Sequence, residues 1–311
     1  MTQYIVRRLV EAVPVLLLAS FGVFMLVRFV PGDPAAQLAG PDSTPQQVQQ
    51  LREQLHLTGN PVVQYVHWLG NAVQGNFGNS LQYGLPVAHL IRTQMEATLQ
   101  LGIASYLFSM ILGVGLGILA ARSSAWSFIA NAFAGLAIGV PTFVLGILLL
   151  VLFSARWGIL PSGGWASFTS DPGKALKDLI LPTVALGCIT SAVLLRFVRA
   201  SLRQVLDNDY IRTARAKGLS ERTVVMTHAL RNALIPVITV SALQVGRLLA
   251  GALVIELVFT RPGLGRLVVD GVRARDYPLI QALILLFVLV FILVNLVADV
   301  AYGLVDPRIR Q

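Results

Sequence analysis

Long apolar runs joined by short polar links constrain this chain more than anything else in it. They cover approximately residues 9–30, 97–121, 128–153, 179–197, 234–259 and 279–300. A helix needs about 20 apolar residues to cross a hydrocarbon core of about 30 Å, and lipid offers no water to unpaired backbone groups, so each run must close its hydrogen bonds as a helix. Charged residues make up only 13% of the chain, against about a quarter in soluble domains. The expectation is an all-α integral membrane protein with six transmembrane helices and both termini in the cytoplasm. Arg7 and Arg8 precede the first run and favour that orientation. The run begins like a signal sequence, yet it is long enough to span and no small-x-small site follows it. Glu11 and Arg28 lie near its ends, where they reach the interfaces.

The net charge of +9 has a similar origin. Basic residues lie mostly beside apolar runs and are not interleaved with aromatic platforms, which points to a lipid bilayer and excludes nucleic acid as a partner. Just over half of the 24 basic residues fall on the proposed cytoplasmic side; Arg261, Arg266, Arg273 and Arg275, between the last two runs, run against the rule. The single cysteine, Cys188, lies in an apolar run, so no disulfide or cysteine metal cluster is expected.

Three segments follow: residues 1–30 with the first span, an extracytoplasmic segment 31–96, and a core of spans two to six over 97–311. In the second segment Thr44, Pro45 and Gln47 form a capping-box helix start, with Val48, Leu51 and Leu55 on one face. The turn-rich GNFGNSLQYG (75–84) is suited to covering a mouth. His56, His67 and His89 match no metal-ligand spacing, and no metal site is expected. Gly113, Gly115 and Gly117 lack the third glycine and preceding strand of a dinucleotide fingerprint and read as small residues for close helix contact. Gly139, Pro141 and Gly146 mark a bend or close contact in span three, and Asp171 a helix cap.

The polar island DYIRTARAKGLSERTVVMTHALRNALIP (209–236) reads as two short helices at an angle, within a cytoplasmic region 203–233. Asp209 caps the first, Lys217 lies in its last turn, and Gly218 suits the left-handed position that ends it. Ser220 caps the second, which runs toward His228. No nucleotide-binding P-loop, zinc-protease or serine-hydrolase motif is present, so no catalytic residues are expected. Two charges fall inside the fifth run. Arg247 lies about 16 Å from Pro236 at about 1.5 Å per residue, near mid-span, and Glu256 is on the opposite helix face nearer the outer end. They cannot pair with each other, and both are candidates for lining a translocation pathway; a structural pairing is the alternative. Asp299 sits near the inner end of span six.

Several co-linear motifs resemble the dipeptide/oligopeptide and nickel permease family of bacterial ABC importers: RFVPGDP (28–34), DYIRTARAKGLS (209–220), HALRNALIP (228–236), VFTRPGLGRL (258–267), RDYP (275–278) and DPRIR (306–310). The general importer signature places Glu-Ala-Ala where this chain has Arg212, Thr213 and Ala214, then the glycine at Gly218, and Ile-x-Leu-Pro at His228, Ala229, Leu230 and Arg231. Glycine, one alanine and leucine hold, as in the peptide branch. The resemblance implies a type I ABC importer-like permease in the bacterial inner membrane. It implies that Asp209, Tyr210, Ile211, Arg212, Thr213, Ala214, Arg215, Ala216, Lys217, Gly218, Leu219 and Ser220, with His228, Leu230 and Arg231, couple to an ATPase. Burial of Tyr210, Ile211, Ala214, Leu219, Val224 and Val225 at that contact would stabilise docking. The implied partners are a second homologous permease, two ATP-binding subunits or domains and an extracytoplasmic substrate-binding protein. No cofactor belongs to this chain; ATP and Mg belong to the ATPase. Peptides are the implied solute, with nickel, glutathione or haem as alternatives on the same scaffold. A stand-alone channel or secondary transporter is the reading from another class.

Overall fold

The computed structural model describes residues 2–29, 35, 39–40, 43–54 and 60–305. Residues 30–34 of the RFVPGDP motif, Leu55, His56 and the DPRIR motif lie outside the described residues, as do the side chains of Arg28, Leu51 and Asp299. The described secondary structure is helical: α1 (Thr2–Phe29), α2 (Pro45–Gln54), α3 (Pro61–Val73), α4 (Val87–Arg122), α5 (Ser124–Gly139), α6 (Thr142–Arg156), α7 (Pro172–Leu206), α8 (Asp209–Ala216), α9 (Glu221–Val258), α10 (Leu264–Ala274) and α11 (Tyr277–Val305).

All six apolar runs are helical. α4, α7, α9 and α11 are each long and apolar enough to cross a membrane, and α1 adds a shorter apolar stretch, Val10–Met25. The third run is broken, as its Gly and Pro suggested: α5 and α6 qualify only as a pair and meet at 103°. Pro141 is the cause, because the residue before a proline is pushed out of the helical region, and Val140 is extended at φ −100° and ψ 121°. The fifth run differs from expectation at its start. Its helix begins at Glu221 rather than near Leu234 and passes through Pro236.

The chain forms two compact units. The first is built on residues 94–267, with α7 at its centre: 78% of α7's apolar window is buried, against 28% for α4 and for α9. Leu101, Leu181, Leu186, Leu248, Ile255 and Phe259 make one core layer, and small side chains at Ala120, Ala130, Ala134 and Ala192 let α4, α5 and α7 close up in another. A Cβ on Gly113 would lie 2.7 Å from the Ser191 carbonyl oxygen, and one on Gly117 would lie 2.7 Å from Val198 Cβ. Gly115, on another face, has nothing within 4 Å. Two of the three glycines therefore set the α4–α7 distance, as small residues do in membrane helix pairs. Gly113→Leu is expected to lower stability by about 1–3 kcal/mol and Gly115→Leu to change it little, measured as thermal unfolding in detergent. Equal effects would contradict the packing account.

The second unit is built on residues 6–93 and 268–290. Thr44 and Gln47 form the expected reciprocal capping box, with Gln47 N donating to Thr44 Oγ1 at 3.3 Å and Thr44 N to Gln47 Oε1 at 2.8 Å. α3 was not foreseen. Its Tyr65 and Trp68 pack on Phe24 of α1 at centroid distances of 5.6 and 5.7 Å. The turn-rich loop is pinned to the buried Asp276 of the RDYP motif: Ser80 Oγ donates to its carboxylate, as does Gln82 N at 3.2 Å, while Leu279 N bonds the other oxygen at 3.3 Å to start α11.

Candidate coupling site and intramembrane charges

Between α7 and α9 the chain passes through the short helix α8. Asn208, not Asp209, occupies the cap position, with extended backbone at φ −72° and ψ 150° and no side-chain capping bond. Asp209 falls in the first turn instead, where its charge suits the helix dipole, and it reaches Arg212 at 3.5 Å on the exposed surface. The other end is as expected. Gly218 has φ +77°, Gly218 N bonds Arg215 O at 2.9 Å and Leu219 N bonds Ala214 O at 3.4 Å, which together form a Schellman motif. Ser220 then caps α9, accepting from Thr223 N at 3.3 Å. Arg215 Nε donates to Glu221 Oε1 at 2.6 Å and ties the two helices across the turn. Asn232 Nδ2 donates to the Tyr210 hydroxyl at 2.9 Å. Under the knob, Leu202, Ile211, Ala214, Val224, Val225, Ala229 and Ala233 form a buried apolar cluster. The α8–turn–α9 corner is a rigid, anchored body.

At the far end of α9 a second polar constellation is buried. Glu256 is fully buried, and its carboxylate accepts from Thr98 Oγ1 at 2.6 Å, from Arg266 N at 3.0 Å and from Gly265 N. Thr98 Oγ1 in turn accepts from Leu264 N at 2.8 Å, so the two side chains hold the free amides that open α10. A Cβ on Gly263 would fall 2.2 Å from the Glu256 carboxyl carbon, so the PGLG loop closes directly over it. Arg261 is also buried, donating to Gln100 Oε1 at 2.9 Å, while its Nε and Nη1 find no acceptor among the described residues. Burial pulls the Arg261 guanidinium below its usual range, opposed by the Glu256 and Asp178 carboxylates. Arg247 is different. It is exposed on this chain and has no hydrogen bond or ion pair among the described residues.

The family model "Binding-protein-dependent transport system inner membrane component" matches residues 113–311, and its N-terminal companion, "Binding-prot-dependent transport system membrane comp, N-term", matches residues 1–101. The chain belongs to the binding-protein-dependent permeases. Among similar proteins, the glutathione transport system permease proteins GsiC of Escherichia coli strain K12 and of Shigella dysenteriae serotype 1 are each 46% identical over 312 residues, covering 100% of this chain and 99% of theirs. Among solved structures, the inward-facing MetNI methionine ABC transporter matches at a TM-score of 0.56 and 18% identity, over 70% of this chain and 96% of that one. An amino acid ABC transporter crystallised with histidines matches at 0.51 and 17%, over 70% and 94%. These two carry the fold alone: a type I ABC importer permease. The chain is thus a permease subunit of an ABC importer, a multi-pass inner-membrane protein and a transport component.

The permease places its sequence-identified residues in two sets. Ile211, Ala214, Val224 and Val225 are buried in its own core, which corrects their assignment to a docking contact. A helix with one apolar stripe must spend it inside before it offers anything outside. Of the six apolar residues assigned to docking, Tyr210 and Leu219 remain available, 43% and 39% exposed. Around them Arg212, Thr213, Arg215, Ala216, Lys217, Gly218, Ser220, His228 and Arg231 are exposed, while Leu230 is half-buried. Glu256 and Arg247 are indeed on opposite faces of α9, one buried and one exposed. Arg261 went unrecognised. In the sequence it is one of the loop arginines that strain the charge rule; since it is buried, it carries little weight as a loop charge. The available signal was Glu256, five residues earlier and equally out of place in an apolar run.

Proposed function

We propose that this permease forms half of a translocation path for short peptides, glutathione among them, and moves them by alternating access driven by a separate ATPase. The observation that carries the substrate class is the full-length 46% identity to permeases of glutathione transport systems. The same scaffold with nickel or haem as cargo is the competing assignment, and the absence of any group of three or more metal-ligating His, Cys, Asp or Glu among the described residues favours the peptide. The coupling element is the α8–turn–α9 corner. Its Schellman turn, Ser220 cap and Arg215–Glu221 pair make it stiff, its buried cluster ties it to α7 and α9, and its outer face presents Tyr210 and Leu219 within a basic surround. Such a face complements an acidic-rimmed groove on an ATP-binding subunit. ATP and Mg are held there, with a second permease and an extracytoplasmic binding protein completing the importer.

Affinity purification of the tagged permease from its native membrane is expected to bring down two ATP-binding subunits and a homologous permease. In proteoliposomes with its binding protein, the complex should take up radiolabelled glutathione or trialanine only with internal ATP. Uptake of nickel or haem without peptide uptake would overturn the substrate class, and ATP-independent flux would overturn the importer cycle.

A further inference from the structure

Residues Pro236, Leu243, Arg247, Ala250, Val254 and Leu257 recur at helical spacing and are all exposed on this chain, so they form one uncovered strip along α9. The neighbouring faces are taken. The buried stripe through Val237, Gln244, Leu248 and Ile255 serves the core, and Gly246 lies against Phe291 of α11, where an added Cβ would approach the ring to 2.9 Å. The strip is apolar except at its middle. Arg247 lies near the middle of the apolar stretch 233–258 of α9, hence near the centre of the hydrocarbon layer, and no described residue of its own chain neutralises it. An arginine held there is costly toward lipid and therefore faces either a water-filled path or a counter-charge from another molecule.

We propose that Arg247 reads the carboxylate of the solute as it crosses the membrane. The inference rests on the peptide reading above. A guanidinium offers two parallel N–H donors matched to a carboxylate, the one group that every free peptide carries at its C-terminus whatever its side chains. Leu243, Ala250 and Val254 flank it with apolar surface that makes no side-chain-specific hydrogen bond. One fixed charge on such a wall gives a path selective for free peptide acids and tolerant of sequence. Gly246 and Gln244 lie elsewhere on the helix, and Glu256, the only other charge within residues 235–258, is buried and engaged, so the strip itself presents no acidic group to repel the carboxylate.

The test uses the complete importer with its binding protein in proteoliposomes. Initial uptake at saturating solute is compared for glutathione and trialanine, each as the free acid and as its C-terminal amide. Wild type should carry the acid of its substrate at least tenfold faster than the amide. Arg247→Gln should slow the acid about tenfold and reduce the acid-to-amide ratio to below twofold, with Arg247→Lys between the two. Because the binding protein is unchanged, a fall in the ratio belongs to the permease. A wild-type-like ratio in Arg247→Gln overturns the proposal, as does an importer with no preference for the acid. Loss of the second permease from the purified Arg247→Gln complex also overturns it, since the arginine would then be an intersubunit pair. Wild type that carries neither peptide overturns the substrate class first, and this proposal with it.

Discussion

Glu256→Ala is expected to cost the permease about 3–5 kcal/mol, enough to remove most of the folded, monodisperse protein from a detergent extract. The size follows from what the carboxylate holds. It accepts from Thr98 Oγ1 at 2.6 Å, from Arg266 N at 3.0 Å and from Gly265 N, and it opposes the charge of buried Arg261. Breaking a buried charge arrangement by deleting one member leaves the other uncompensated, which is where losses of about 3–5 kcal/mol arise. Each orphaned donor adds a desolvation cost of about 1–3 kcal/mol unless the loop relaxes to water. Relaxation is limited, because the PGLG backbone closes against the carboxyl group itself. Glu256→Gln keeps the shape and one acceptor but turns an amide donor toward backbone N–H groups, so it should lose about half as much. Glu256→Gln combined with Arg261→Met should be less damaging than the sum of the two, since the double change removes both charges. Thermal unfolding midpoints of the purified variants supply the comparison. If Glu256→Ala instead unfolds with wild type while uptake collapses, Glu256 lines the path and the anchoring account is wrong.

The same constellation shows what the sequence conceals. Thr98 and Glu256 are 158 residues apart, and Thr98 and Leu264 are 166 apart, so no local pattern reveals that one hydroxyl and one carboxylate share the duty of opening α10. A glutamate in an apolar run signals only that some partner exists. Local chemistry was legible where its partners are local. The Thr44–Gln47 capping box, the Asp171 cap that accepts from Lys174 N at 2.9 Å, the Ser220 cap and the left-handed Gly218 each need a few consecutive residues. The cap of α8 lies one position earlier than the sequence suggests, because Asn208 and Asp209 are both capping types and it is Asn208 whose backbone stays extended. Ile211 and Ala214 share one face whether that face meets a partner or the chain's own Leu202 and Val224, and periodicity cannot distinguish the two. Pro236 suggested a boundary where none exists. A proline inside a membrane helix frees only the carbonyl four residues back, and here that residue, Asn232, lies on the exposed side near the helix start.

The second large effect is functional and leaves the fold intact. In Gly218→Val the new Cβ meets nothing within 4 Å, so the whole penalty is backbone: φ +77° is a conformation that a β-branched residue avoids, at a cost of about 1–3 kcal/mol. The turn relieves that strain by leaving the left-handed region. Doing so breaks the bonds from Gly218 N to Arg215 O and from Leu219 N to Ala214 O, swings α8 against α9 and separates Arg215 from Glu221. The buried cluster under the knob holds Ile211, Ala214, Val224 and Val225 on either side of the turn, so the transmembrane core keeps its packing and the unfolding midpoint should move by no more than a few degrees. What changes is the angle at which Tyr210 and Leu219 are presented. Transport by the reconstituted importer is therefore expected to fall tenfold or more in Gly218→Val, with ATP hydrolysis no longer stimulated by the loaded binding protein. Gly218→Asn should keep most of the activity, because asparagine visits the left-handed region readily, and Gly218→Ala should fall between them. The order Gly, Asn, Ala, Val follows backbone strain and not side-chain volume, since alanine is smaller than asparagine. Normal coupled transport in Gly218→Val, or a ranking by volume, would show that the corner is a passive loop and that the ATPase drives the permease through another surface.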